Sequence, residues 1–251
     1  MKRRNLVHFS QLNLTSKMLY TGIICVLGAG YLAAMVYVYM SHAGRDGKPG
    51  LSAKDIAIAY AGSSSGTKLE SALMGPMSRM LQPDENLEIV DWVRSGASKE
   101  VYDSKIAPLV ANRCVLCHND SNPHLPSFES YEGLMKVAEK DTGASVPTLV
   151  RVSHIHLFGL TFIFVSIGLV FRHAYFRREW LQGLIVITPF ICILADIASW
   201  YLTKLSVEFA WLVIGSGALM GASFAIMFFA SMWQMWVSRD LPPGVGQGID
   251  G

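Results

Sequence analysis

Charged and apolar positions separate along this chain into long blocks. Residues 18–40 contain no charged side chain and no His. Residues 152–171 contain no Asp, Glu, Lys or Arg, although His154 and His156 sit near their start. Residues 180–203 carry one charge, Asp196, and residues 209–238 carry none. At 1.5 Å rise per residue each block is long enough to cross a hydrocarbon core of ~30 Å. The pattern predicts four transmembrane helices over 18–40, 152–171, 180–203 and 209–238.

The stretch between the first two blocks reads differently. Residues 41–151 are polar, punctuated by Gly and Pro, and only briefly amphipathic. GRDGKPG (44–50) and AGSSSG (61–66) read as linkers. Pro83 and Asp84 open a short helix, capped by Asp84, with Leu87, Val90 and Val93 on one face and Gly96 as its stop. A second segment, 99–110, is interrupted near Pro108, and a third, 130–139, turns Leu134 and Val137 inward. No alternating strand pattern and no internal repeat is seen. The predicted class is an all-α membrane protein of four transmembrane helices, with a small α-helical domain inserted between the first and second. That insert is too small to bury a generous core, so a bound prosthetic group would help it fold.

Composition agrees with the pattern. Of 251 residues 51% are hydrophobic and 16% charged, and the mean hydropathy is +0.34. That balance is wrong for a disordered chain and unusual for a soluble domain. A formal net charge of +2 gives no footprint for nucleic acid. Cations at the helix ends set the expected orientation. Lys2, Arg3, Arg4 and Lys17 precede the first span, Arg172, Arg177 and Arg178 lie between the second and third, and Arg239 follows the fourth. The N-terminus (1–17), the 172–179 loop and the tail (239–251) are therefore expected in the cytoplasm of a bacterial inner membrane, with 41–151 in the periplasm. The first span is long and no A-x-A site follows Met40, so it reads as an uncleaved signal anchor. Gly217-x-x-x-Gly221 suggests a close helix approach. Trp180, Trp200, Trp211, Trp233 and Trp236 read as interfacial anchors, Cys25 and Cys192 as small apolar residues, and His173 as a headgroup-facing residue.

One motif carries chemistry. Residues 114–118 read Cys-Val-Leu-Cys-His, the C-x-x-C-H attachment signature for c-type haem. Two thiols at this spacing reach the two vinyl groups of one porphyrin, and the next imidazole lies under the iron. The competing readings are a redox dithiol, which would want a βαβ context, and half a zinc site, for which only His124 offers a further ligand nearby. The flanking residues resemble c-type cytochromes. IAPLVANRCVLCHND (106–120) looks like the helix-then-haem opening of monohaem cytochrome c domains, and LPSFESYEGLMK (125–136) is similar to the segment after the haem site in planctomycete-type domains. DENLEIVDWVRSGA (84–97) resembles the terminal Trp helix of class I cytochromes, but here it precedes the motif. The resemblance implies one covalent haem c, with Cys114 and Cys117 as thioether donors and His118 as proximal iron ligand. In that family a Met or a second His fills the sixth position. His154 or His156 is preferred here, then Met135, then the upstream Met74, Met77 and Met80. No family is recognised for the four-span arrangement as a whole.

Polar residues within the spans define a second region. His154 and His156, two residues apart on a helix, point about 200° apart. With His42 and Asp196 they lie in the outer half of the bundle, and Asp196 is about 10 Å inside its helix end. They serve either as polar links between helices or as a haem b, metal or quinol site. The expected function is single-electron transfer at the periplasmic face by a membrane-bound cytochrome. It would act as a subunit of a respiratory or photosynthetic complex, partnered by other subunits and a soluble periplasmic electron carrier, more than as a stand-alone enzyme. The alternative is a quinol-oxidising or metal- or haem b-containing redox enzyme using the His42, His154, His156 and Asp196 region. A haem-based sensor is disfavoured by the short cytoplasmic segments.

Overall fold

A computed structural model of the chain describes residues 7–63 and 66–238. Lys2, Arg3, Arg4, Arg239 and the C-terminal tail lie outside them. In chain order the helices are α1 (Leu14–His42), α2 (Ala53–Ala61), α3 (Lys68–Met74), α4 (Pro83–Arg94), α5 (Lys99–Val101), α6 (Ala107–Arg113), α7 (Tyr131–Met135), α8 (Val146–Phe171), α9 (Glu179–Thr203) and α10 (Ala210–Trp236). Among the described residues there is no strand, only an isolated bridge between Thr67 and Lys140. Helices α1, α8, α9 and α10 are long and apolar enough to cross a membrane. Among the described residues two compact units result, one within 7–35, 150–199 and 211–238 and the other within 36–63, 66–149 and 200–210.

The first unit is the span bundle. Its interior comes from one face of each of α8, α9 and α10: Phe164 and Ile167, Cys192 and Ile193, Phe224 and Met227. The Phe164 ring meets Phe190 and Phe224 edge-on, and Tyr31 of α1 stacks on Phe224 at 4.5 Å. Outward faces are apolar too, as hydrocarbon solvent demands. Val26, Leu32, Phe162 and Leu194 are all exposed. The predicted close approach through Gly217 is not found, since a Cβ there would meet nothing within 4 Å. The tight contact is at Gly28, where a Cβ would stand 2.9 Å from the Phe228 ring, with Gly221 facing the Tyr31 hydroxyl. A glycine motif marks where helices can approach, and the neighbouring side chains decide where they do.

At one end of this bundle the N-terminal turn is pinned by polar contacts. His8 accepts from the Ser10 N–H and meets the Gln234 amide at 3.2 Å. Gln234 also accepts from Tyr175 N–H and donates to Tyr175 O. His173 bonds the Val7 carbonyl through Nδ1 at 2.7 Å and stacks on Tyr20. His173 thus ties the N-terminal turn and does not simply face headgroups.

The second unit contains more order than the linker-like sequence suggests. Ser52 and Thr67 start α2 and α3, each accepting from the N–H three residues on, while Asp55 and Glu70 reach back to the cap. The GRDGKPG stretch closes on itself through Gly44 N–H to Gly50 O and Gly47 N–H to Gly44 O, and Asp55 takes the Asp46 N–H. Gly62 and Gly143, both at positive φ, pass so closely that a Cβ on either would run into the other strand of chain. The Lys204 ammonium donates to Tyr60 O, Thr142 O and Ala144 O at 2.8–2.9 Å. Trp200 is 4% exposed and stacks on Tyr60, so it is a packing residue and not an interfacial anchor.

Helix α4 is capped two residues earlier than expected, at Gln82 in place of Asp84. Pro83, which has no N–H to satisfy, takes the first helical position, and Glu85 rather than Asp84 bonds the Gln82 N–H. Its buried face is Ile89, Val90, Trp92 and Val93, and Leu87 is 62% exposed. The interruption expected near Pro108 falls just before it. Residues Tyr102–Ile106 form a wider π turn, which makes room for a ring that would otherwise meet the carbonyl four residues back. Tyr102, Ile106 and Val110 still share one buried face. They join Leu69, Leu73, Trp92, Phe128 and Leu134 in one core.

Candidate functional site

The site starts from this core. Helix α6 runs into a further turn in which Cys117 N–H and His118 N–H both donate to Cys114 O, at 3.1 and 2.8 Å. Cys114, Cys117 and His118 thus occupy one helical turn, three and four residues apart, the spacing that puts side chains on one face. Cys114 packs on the core with Val115, Met77 and Met135, whereas Cys117 is exposed. The Arg113 guanidinium pairs with Glu85 at 2.8 Å and so fixes the end of α6 against α4. The Gln82 N–H and Arg113 together hold the Glu85 carboxyl below its ordinary value.

The chain then loops back over the imidazole. His118 donates from Nδ1 to Pro126 O at 2.9 Å, and Phe128 N–H returns a bond to His118 O. The Phe128 ring lies flat on the imidazole, 4.3 Å away and tilted by 9°. One ring nitrogen is therefore committed, the ring plane is fixed, and Nε2 is the nitrogen left for a metal. A ligating His held in this way by a carbonyl on its other nitrogen has both tautomer and orientation set. Pro126 and Phe128 are the residues sequence reasoning missed. A Pro-x-Phe following shortly after the motif was the available signal.

The competing chemistries fare less well. A nucleophilic dithiol needs a depressed thiol pKa, yet burial pushes the Cys114 thiol up and the Glu85 charge adds to it. Both thiols are unpaired. Among the described residues no three His, Cys, Asp or Glu side chains gather to hold a metal ion. His124, the one zinc partner the sequence offered, is exposed in its loop. The donor set does fit a covalently attached iron porphyrin, because it supplies two unpaired thiols and one pre-oriented imidazole on a single turn. Leu116, 79% exposed between the cysteines, and Leu125 leave apolar surface beside the motif.

The other named residues are distributed as follows. Met135 ends α7 and packs against the core. His42 bonds its own helix at Val38 O, and His156 does the same at Val152 O. His156 lies on the α8 face that packs with Ser153, Phe164 and Ile167, and His154 lies on the exposed face, as the two-residue spacing predicts. Asp196 is buried in α9, with Tyr31 and Cys192 in electrostatic reach and Ser199 bonded to its carbonyl.

Residues 130–242 match a protein family described as a transmembrane helical domain. No curated protein and no solved structure matches the chain. The matched region covers α7 to α10 and leaves both α1 and Cys114–His118 outside it. The chain is a multi-pass membrane protein, similar over its last three spans to that transmembrane helical domain.

Proposed function

We propose that this protein is a membrane-bound electron-transfer subunit carrying one covalent haem c at Cys114, Cys117 and His118. The observation that carries the reading is the His118 imidazole, clamped by Pro126 O and Phe128 one residue beyond two unpaired thiols. A free surface histidine has no need of such a clamp. Cys114 and Cys117 would hold the porphyrin through their Sγ atoms, and His118 would ligate through Nε2. When bound, the group supplies a reversible one-electron couple at its iron. The clamp on Nδ1 raises the basicity of the ligating nitrogen and prevents the ring from rotating during electron transfer. Met135, His154 or His156 would supply a second iron ligand, and Met against His ligation is separated by the optical spectrum.

The topology rule supports an extracytoplasmic site for 41–151, with both termini in the cytoplasm of a bacterial inner membrane. Partners would be other subunits of a redox complex and a soluble carrier on that side. The test is expression in a host with c-type maturation. A haem stain on a denaturing gel is expected to light the wild-type band and not the Cys114→Ala/Cys117→Ala double variant. A wild-type polypeptide with no added porphyrin mass would overturn the reading.

A second reading rests on Asp196, a carboxylate buried in a span, where such groups are commonly functional. In it the bundle would bind a quinol, Asp196 and a nearby His would take the two protons released on its oxidation, and the covalent haem would supply a one-electron acceptor. Unchanged quinol-analogue reduction in Asp196→Asn and His156→Gln would remove it.

A further inference from the structure

A cleft of about 410 Å³ opens between α1 and α8 at the end of the bundle where the N-terminal turn is pinned. This is within the usual range of roughly 300–1,000 Å³ for ligand pockets. Ile23 from α1 and Leu169 and Val170 from α8 line its apolar part, while Tyr20, Arg172 and His173 close its polar end. These positions follow helical spacing, Tyr20 and Ile23 on α1, Ser166, Leu169 and Val170 on α8, with Arg172 and His173 in the turn after it. The cleft therefore runs from hydrocarbon depth to the span end.

The polar end is not uniform. Tyr20 OH and His173 Nε2 face each other at 3.4 Å, and His173 Nδ1 is bonded to Val7 O. Their hydrogen-bonding capacity is largely committed to the protein itself. Arg172 is different. It is exposed and makes no ion pair among the described residues. Both walls lack negative charge over a long stretch: no Asp or Glu occurs in residues 1–45 or 142–178. Lys17, one turn before Tyr20, adds a second cation on the same face of α1.

We propose that this cleft binds one anionic glycerophospholipid, its phosphodiester on Arg172 and an acyl chain against Ile23, Leu169 and Val170. An apolar trough ending in an unpaired guanidinium matches the division of such a lipid into chain and phosphate, and basic pockets between spans take anionic headgroups in this way. A quinone would need donors for its carbonyls, and the two ring-bearing donors here are already used, the Tyr20 hydroxyl toward His173 Nε2 and the His173 N–H toward Val7 O. The inference does not depend on the haem assignment.

The test is native mass spectrometry of the purified full chain in mild detergent, with equal phosphatidylglycerol and phosphatidylethanolamine added. The wild type is expected to retain one phosphatidylglycerol about fivefold over phosphatidylethanolamine, equivalent to the ~1 kcal/mol of one basic side chain at an anionic surface. Arg172→Gln should bring the ratio close to one, whereas Arg178→Gln, a charge that does not line the cleft, should retain it. Leu169→Trp, which fills the trough and keeps the charge, should lower the lipid adduct. Melting of Arg172→Gln in lipid-free detergent should match the wild type. Equal retention of both lipids by the wild type, an unchanged ratio in Arg172→Gln, or an adduct with the mass of a prenylated quinone would overturn the proposal.

Discussion

Replacing Phe128 tests the clamp on His118 and separates its two contributions. The ring is buried, packs into the core of the second unit, and lies 4.3 Å from the imidazole in a near-parallel stack. Truncation to Ala removes a buried aromatic side chain and leaves a cavity, which costs about 3–5 kcal/mol. Leu retains much of the apolar volume and loses the stack, worth about 0.5–1.5 kcal/mol for aromatic pairs. Thermal unfolding of the purified protein should therefore rank wild type above Phe128→Leu and Phe128→Ala lowest. The haem-loaded Phe128→Leu protein should keep its cofactor but give a broadened low-spin electron paramagnetic resonance signal, because the axial imidazole samples more orientations. If Phe128→Ala melts with the wild type, the loop does not form part of the core as argued. If the resonance line of Phe128→Leu is unchanged, Pro126 O alone orients the ring.

Four further outcomes are expected. Lys204→Met removes a charge-assisted donor from three carbonyls and should destabilise the protein by about 2–4 kcal/mol in a detergent melt, with Lys204→Arg milder. Gly143→Ala, at φ +67 and against Tyr60 O, should cost more than about 2 kcal/mol by the same assay. Burial works to raise the Glu70 carboxyl, but the Arg94 and Thr67 bonds outweigh it and hold it below its ordinary 4.5. Its stabilisation is thus present above that value and lost as pH falls through the lower folded one. Glu70→Gln should flatten the acid limb of the melting profile. In protein made without haem attachment, Cys114 should alkylate more slowly than the exposed Cys117, and Glu85→Gln should speed it, read by peptide mass spectrometry.

Uninterrupted apolarity is a local property, so the four spans were legible in the sequence to within a few residues. So were the opposite faces taken by His154 and His156, since two residues on a helix turn about 200° whatever surrounds them. The C-x-x-C-H spacing likewise placed Cys114, Cys117 and His118 on one helical turn, as observed. Helices α2 and α3 were legible in principle, because Ser52-x-x-Asp55 and Thr67-x-x-Glu70 are capping boxes, but the glycines and serines around them suggested linkers instead.

Other features depended on which groups from distant parts of the chain meet. No sequence rule distinguishes Gly28, pressed on Phe228, from Gly217, which faces nothing. Trp200 has the sequence position of an interfacial anchor and becomes a core residue only because Tyr60 stacks on it. Lys204 and its three carbonyls, like Arg172 over its apolar cleft, depend on chain crossings that no local pattern encodes. The orientation of His118 is the same kind of fact. The motif picks out the imidazole, but the loop through Pro126 and Phe128 decides which of its nitrogens is bonded and which is left open.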